Sequence, residues 1–259
     1  MATFLFDKVI FGPVFSRRLG ISLGINLLPL HKKICNFNCI YCECGLTHSV
    51  TERSNNMPEM PDIIAQLETK LHFLKQNNKP LQAITFAGNG EPTLHKHFSE
   101  IIDKTIQLRN EYFPEVKIAV LSNATLMHNS QVFSALTKVD LCILKLDSAI
   151  ENTIKLINCP AGNYSLNQTI NGFLKFNGNF ILQTMFFTGL VNNVIIDNTT
   201  EIELNAWYHV IEQTSPKQIM IYTIARDTPV KNLEKVSLQK LEYIAAVLRQ
   251  KNYNVHISE

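Results

Sequence analysis

The chain has 259 residues, 46% of them hydrophobic, and its 24 basic and 22 acidic side chains leave a formal net charge of +2. Domains of this size bury roughly 70–75% of the surface of the unfolded chain, so no disulfide staples are required. A charge so close to neutral does not demand a nucleic acid or a membrane surface, although a local basic patch would still serve one.

The N-terminal stretch MATFLFDKVIFGPVF has no basic leader, and Asp7 and Lys8 interrupt its apolar residues, which makes it a poor signal peptide. No apolar run approaches the ~18 residues of a membrane-spanning helix. The expectation is a cytoplasmic protein with no membrane partner. Thiols stay reduced there, so clustered cysteines bind metal or do chemistry more often than they pair.

Residues 1–20 read as a lead-in to the first β-type run, ISLGINLL (21–28). Further runs follow at QAITFAG (82–88), VKIAVLS (116–122), VDLCILKLD (139–147), NFILQTMFF (179–187) and QIMIYTI (218–224). Most are apolar throughout, which suits strands covered on both faces. Helical stripes lie between them: Ile63, Ile64, Leu67, Leu71 and Leu74 within 61–76, then Phe98, Ile101, Ile102 and Ile106. Residues 164–176 and 202–213 carry weaker helical patterns. A last helix on Leu238, Leu241, Ile244, Ala245 and Leu248 and a short strand, YNVHIS (253–258), fill 237–258. Strand and helix alternate about six times. That predicts an α/β fold, a partial (β/α)6 TIM-type barrel with a parallel, curved sheet and outer helices, because six units are too few to close an eight-stranded barrel. No repeat or composition break divides it, so one domain is expected over 1–259. Its chemistry should sit in the loops at the C-terminal ends of the strands.

The stretch KICNFNCIYCEC holds four of the six cysteines. Cys35, Cys39 and Cys42 are spaced C-x3-C-x2-C, and the loop begins just after the first strand. Three thiolates on one loop can each take one iron of a [4Fe–4S] cube, leaving the fourth iron for a substrate or cofactor, whereas ferredoxins normally cap all four. Zinc is the competing reading. It wants four tetrahedral ligands, usually in two short pairs, and His31 or His48 would have to help. Reduced thiols with no metal are a third reading. Tyr41 would shield one face of a cluster, and Cys44 reads as a spare thiol.

CNFNCIYC resembles the cluster-binding motif of the radical SAM superfamily, C-x3-C-x-aromatic-C. GPVFSRRLGISLGINLLP (12–29), AGNGEPTLH (87–95) and LKLDS (144–148) resemble the branch related to the wyosine-synthesis enzymes of tRNA. The likeness runs over roughly residues 10–230. It implies an oxidoreductase-like enzyme in which a [4Fe–4S] cluster on Cys35, Cys39 and Cys42 reductively cleaves S-adenosyl-L-methionine. The resulting 5′-deoxyadenosyl radical abstracts hydrogen from the substrate. The electron must come from the low end of the roughly −700 to +450 mV range of protein clusters, so a flavodoxin or ferredoxin is the implied partner.

The resemblance also distributes roles. Gly88-Asn89-Gly90-Glu91 resembles the "GGE" motif that holds the methionine amino group, with Asn89 standing where glycine is usual. Glycines let backbone carbonyls approach an ammonium closely, and Glu91 adds charge. The residues themselves equally suit a helix N-terminus with Pro92 in its first turn. Ser122 and Asn123 are implied as cofactor contacts, though both also favour plain turns. Lys145 and Asp147 share a strand face by their spacing, so they need each other or a ligand. Asp147, at the strand end, is expected at the cofactor, and Lys145 and Arg226 at the substrate. One of Gln183 and Thr184 must face inward. Ser16-Arg17-Arg18 reads as a solvated turn or a contact near the site. Cys142 reads as a buried small hydrophobe, and Cys159 stands where related sequences often carry arginine. His95 and His97 lack metal spacing on their expected helix.

The substrate is left as a small molecule or RNA, with a partner protein also open. Wyosine-type tRNA modification is the alternative within the superfamily. It needs a basic face, and the family's tRNA enzymes generally hold a second cluster on upstream cysteines, whereas no cysteine precedes Cys35. A non-enzymatic zinc or iron–sulfur binding protein is the alternative outside it.

Overall fold

The computed structural model describes residues 4–47, 57–191 and 193–258. In chain order the elements are β1 (Ile10–Ser16), β2 (Gly20–Ile25), α1 (Met60–Gln76), β3 (Ala83–Phe86), a 3-10 turn (Pro92–Leu94), α2 (Phe98–Tyr112), β4 (Lys117–Ser122), α3 (Ser130–Lys138), β5 (Leu141–Lys145), α4 (Glu151–Asn158) and α5 (Leu166–Leu174). Then come β6 (Ile181–Val191), β7 (Val194–Asp197), α6 (Glu201–Thr214), β8 (Gln218–Thr223), β9 (Leu233–Lys235), α7 (Leu238–Gln250) and β10 (Val255–Ser258).

The strands form one curved, open sheet in the order β1-β2-β3-β4-β5-β6-β8-β10. From β2 to β10 every neighbour is parallel. The expected partial barrel with outer helices is therefore the fold. No described helix is long and apolar enough to cross a membrane.

Three departures from the sequence reading matter. Ile10–Ser16, within the expected lead-in, do more than lead in: β1 pairs antiparallel with β2, with an irregularity between Phe11 and Val14 at Gly12-Pro13. Proline removes a ladder donor and masks the strand pattern. The far half of β6 overhangs the barrel and pairs antiparallel with β7 and β9. Those two strands are four and three residues long and exist only through that pairing. The helices α3 and α4, nine and eight residues long, are too short to display a full apolar stripe.

Period-two alternation separates the two faces of the sheet. The outer face carries Leu23, Ile25, Ile84, Phe86, Ile118, Val120, Leu144, Leu182, Phe186, Ile219 and Ile221, all packed with the helices in one core. Ser165, Thr200 and Ser237 cap α5, α6 and α7 by accepting from backbone N–H groups three residues on. The inner face carries smaller and polar residues. Ser22 and Thr85 hydrogen-bond at 2.6 Å across it, and the register sets Lys145 beside Gln183.

Candidate active site

The loop after β2 carries the cysteines, and backbone hydrogen bonds fix it on two sides. Ile34 N–H donates to the Asn89 carbonyl at 2.9 Å, and Glu91 N–H donates to the Ile34 carbonyl at 3.0 Å. Gly90, at φ +137°, is required there: a Cβ would stand 1.8 Å from the Ile34 carbonyl oxygen. On the other side Asn38 N–H donates to the Asn158 carbonyl at 2.8 Å, and Ile40 N–H donates to the Ile157 carbonyl at 3.0 Å. The β3 loop and the end of α4 thus hold the cysteine loop between them. Cys35, Cys39 and Cys42 line one cavity of about 250 Å³ with Tyr41, Cys44, Gly88, Gly90, Glu91, Ser122, Asn123 and Lys145. These residues come from loops and strand ends at the C-terminal rim of the barrel, as expected.

The charge around the thiols is arranged. Burial pushes Cys35 up to about 12 and Cys39 up to about 11. Cys42 goes the other way: the Cys44 thiol hydrogen-bonds to it and Lys33 lies close, which outweighs burial. The Cys44 thiol also reaches the Gly88 carbonyl at 3.4 Å. Lys33 is buried, which lowers its pKa, yet the sulfurs of Cys42, Cys35 and Cys39 raise it above the ordinary value. Its Nζ donates to the Gly45 carbonyl at 2.9 Å. Buried cations of this kind offset the negative charge of thiolates.

Glu91 links two strand ends. Its Oε1 accepts from Thr93 N at 3.1 Å, from the Thr93 hydroxyl at 2.5 Å and from the Ser122 hydroxyl at 2.8 Å, while Oε2 accepts from Asn123 N at 2.7 Å. Burial raises its pKa against those four hydrogen bonds. The capping reading is realised, since Glu91 caps the Pro92–Leu94 turn. A carboxylate offers about four lone-pair sites. With one bond accepted, Oε2 retains capacity for a further donor in the cavity. Asn123 Nδ2 donates to the Asn36 side-chain Oδ1 at 2.6 Å and lies 3.6 Å from the Cys35 sulfur.

Asn89 and Asp147 do not line the cavity. The Asn89 amide accepts from Phe6 N at 2.8 Å and donates to the Phe6 and Pro29 carbonyls, both at 2.9 Å. Rather than filling space beside a cofactor, it turns away and fastens the N-terminal strap to the site. Asp147 sits one layer behind. Its Oδ2 accepts from the Tyr41 hydroxyl and, at 2.7 Å, from Asn158, and its Oδ1 accepts from Met185 N at 3.0 Å. Lys145 pairs with it at 3.5 Å and donates to the Tyr222 hydroxyl at 3.1 Å. Burial lowers the Lys145 pKa, but Asp147 and Tyr222 raise it further, so the amine stays charged. Burial, with Asp147 beside it, raises Tyr41 well above the phenol range. The ion-pair reading of Lys145 and Asp147 is the observed one, with Lys145 also reaching the cavity.

The remaining sequence candidates divide. Arg226 sits at the rim in an exposed pair with Glu43 at 2.7 Å, outside the cavity lining. Gln183 faces inward, whereas Thr184 faces α6, accepting from Trp207 Nε1 at 3.0 Å. Arg18 lines the cavity and lies 4.9 Å over the Tyr222 ring. Cys142 is buried on the outer face. Cys159, in left-handed conformation at the end of α4, donates to the Leu156 carbonyl at 3.4 Å. His95 and His97 precede α2 rather than lying in it; His95 binds the Pro58 carbonyl and His97 binds Glu100. Lys33, Asn158 and Tyr222 went unread. Asn158 donates to the Cys39 sulfur at 3.3 Å as well as to Asp147. The signal for Lys33 was its place two residues before the first thiol.

The donor set can be tested against zinc and against a cube. Among the described residues no group of three His, Cys, Asp or Glu side chains is placed to hold a metal ion. His31 is exposed, and His48 lies outside the described residues. A cube is held at separate corners, so its thiolates need not converge on one point. Three thiols on one cavity with Lys33 and Lys145 beside it fit such a cluster, and the acceptor groups of residues 88–91 fit an ammonium next to it.

The family model described as the radical SAM superfamily matches residues 30–192. The chain belongs to the radical SAM superfamily. Members use a [4Fe–4S] cluster and S-adenosylmethionine, are generally enzymes, and need a reductant. Among curated relatives, a protein named GTPase Obg from Brachyspira hyodysenteriae is 30% identical over 235 residues, which are 91% of this chain but 32% of that protein. The chain spans about a third of it and contains no Gly-x4-Gly-Lys-Ser/Thr phosphate loop. A UPF0026 protein of Helicobacter pylori (strain ATCC 700392 / 26695) is 30% identical over 227 residues, covering 86% of this chain and 68% of that one. Among solved structures, a radical SAM methyltransferase from Sphaerobacter thermophilus aligns with TM-score 0.66 at 12% identity, over 92% of this chain and 65% of that one. Streptococcus suis SuiB bound to S-adenosylmethionine aligns with TM-score 0.60 at 13% identity, over 90% and 45%. Archaeal TYW1 aligns with TM-score 0.52 at 12% identity, over 88% and 71%. At these identities the likeness is one of fold.

Proposed function

We propose that the chain is a radical SAM enzyme whose cluster is held by Cys35, Cys39 and Cys42. The observation that carries this reading is the convergence of these thiols with Gly88, Gly90, Glu91, Ser122 and Asn123 on one cavity. Cys35, Cys39 and Cys42 would hold the cluster, which when bound would supply one-electron reductive cleavage of S-adenosylmethionine and so the means to take hydrogen from a substrate.

The chain's own residues place and shield these groups. The backbone of residues 88–90 and the free acceptor capacity of Glu91 Oε2 receive the methionyl ammonium. Asn123 donates toward Cys35, and Asn158 toward Cys39. Such bonds to cluster sulfurs tune the reduction potential. Tyr41 packs edge-on against Phe187 at 5.3 Å and closes the cavity toward the core. Exclusion of water protects a reactive intermediate. A flavodoxin or ferredoxin supplies the electron.

The test is anaerobic reconstitution with iron and sulfide, followed by reduction with dithionite in the presence of S-adenosylmethionine. The expected result is brown protein with about four irons per chain, as a cubic cluster requires, and release of 5′-deoxyadenosine. Protein that takes up no iron, or that cleaves no S-adenosylmethionine once loaded, overturns the reading.

A further inference from the structure

A second, smaller chamber of about 130 Å³ lies inside the barrel, lined by Phe6, Phe11, Leu19, Leu121 and Ile143 among others. It adjoins the cysteine-lined cavity, since Arg18, Ala87, Leu121 and Gln183 line both. At about 30 Å³ per water it has room for roughly four waters, or for one end of a small organic molecule.

Most of the chamber is apolar, and its polar groups are not equivalent. The Ser22 and Thr85 hydroxyls satisfy each other. Gln183 does not find a partner: it is 4% exposed, and its Nε2 is buried with no hydrogen bond. A buried donor left unpaired costs about 1–3 kcal/mol, so its retention marks a site completed by something else. Arg18 is the charged residue of the lining. Its guanidinium carbon lies 4.9 Å over the ring of Tyr222, whose hydroxyl accepts from Lys145. A cation over a ring face is held there by the ring's quadrupole while its N–H donors remain for a ligand.

Resting on the function proposed above, the geometry points to Arg18 and Gln183 as the clamp for the substrate, a small apolar molecule bearing a carboxylate. A planar fork and one amide donor match the two oxygens of a carboxylate. A phosphate would bring a third oxygen and a second charge into an apolar chamber that offers neither with a partner. The carboxylate sits between Arg18 and Gln183, and the apolar body lies against Phe6, Phe11 and Ile143.

Benzoate is the probe, with benzamide and phenyl phosphate as uncharged and phosphate-bearing controls. Ligand-observed NMR on the anaerobically reconstituted protein gives each Kd, and iron content is measured on the same samples. The expected result is benzoate binding at least tenfold tighter than either control. Arg18→Gln should weaken it at least tenfold, with part restored in Arg18→Lys. Gln183→Glu, nearly isosteric and therefore expected to fold, should weaken it at least tenfold by setting one carboxylate against another; circular dichroism checks the fold of each variant. No benzoate binding, equal binding of benzamide, tighter phenyl phosphate, or a Kd unmoved in both variants overturns the proposal. So does one-for-one displacement of benzoate by S-adenosylmethionine, which would assign the clamp to the cofactor. Iron-free protein that still binds benzoate overturns the enzyme reading instead, so the two failures are distinguishable.

Discussion

The two faces of the sheet obey different rules. On the outer face Leu23, Phe86, Val120, Leu144 and Ile221 are fully buried in one apolar core with the helices. On the inner face Thr85, Lys145, Gln183 and Tyr222 come from the same strands, often from neighbouring positions, and surround cavities. Thr184 and Gln183 show the contrast at adjacent residues. Thr184 is satisfied by Leu146 and Trp207, while Gln183 is left with a free donor. The outer face contributes stability through volume, and the inner face accepts unsatisfied and charged groups that cost stability.

The comparison can be broken or sharpened by substitution. The largest effect is expected at the rim. Cys39→Ala should abolish both iron binding and 5′-deoxyadenosine release, while Cys44→Ala retains most of each; equal loss in the two variants would overturn the ligand assignment. Phe86→Ala, on the outer face, should cost about 3–5 kcal/mol of stability in urea unfolding while iron per folded chain stays unchanged. A loss of iron without a loss of stability would erase the distinction between the faces.

Asp147→Asn tests the layer between them. It leaves the Lys145 amine unpaired close to Tyr41 and should cost about 3 kcal/mol in the same assay. Because Asn158 bridges Asp147 and Cys39, iron occupancy should fall as well. Unchanged iron would detach that layer from the cluster loop.

The smallest effect is expected from pH at His95. Burial, then His97 and Lys96, lower its pKa below 6.5 against the Pro58 carbonyl and Glu59. The unfolded chain then binds the proton more readily, so stability is complete above about pH 6.5 and falls as pH drops below it. Thermal melts at pH 7.5 and 5.5 should differ, and His95→Gln should reduce the difference. An unaltered difference would place the acid sensitivity elsewhere.

Much of the rim was legible. C-x3-C-x2-C on a loop after a strand, and Gly88-Asn89-Gly90-Glu91 after the next, pointed to one cavity because parallel strands deliver their C-terminal loops to one edge. Arg226 shows the limit. It is expected at the substrate, yet it pairs with Glu43, 183 residues earlier. Asn89 and Asp147 show the same limit, since period and spacing indicate a face but not how far along it a side chain reaches.

The sequence by itself determined the alternation of strand and helix, the parallel sheet of mostly apolar strands and the thiol loop, because these follow from periodicity and spacing within a few residues. Only the tertiary structure decided that Ile10–Ser16 joins the sheet, that β7 and β9 extend it, that Asn158 and Lys33 attend the thiols, and that Gln183 rather than Thr184 turns inward. Asn158 meets Cys39, 119 residues away, and Thr184 meets Trp207, 23 residues away, while β1, β7 and Lys33 meet nearer partners whose pairing the apolar pattern does not display. A hydrogen bond or ion pair is set by where the fold brings the second group, and no local pattern encodes that position.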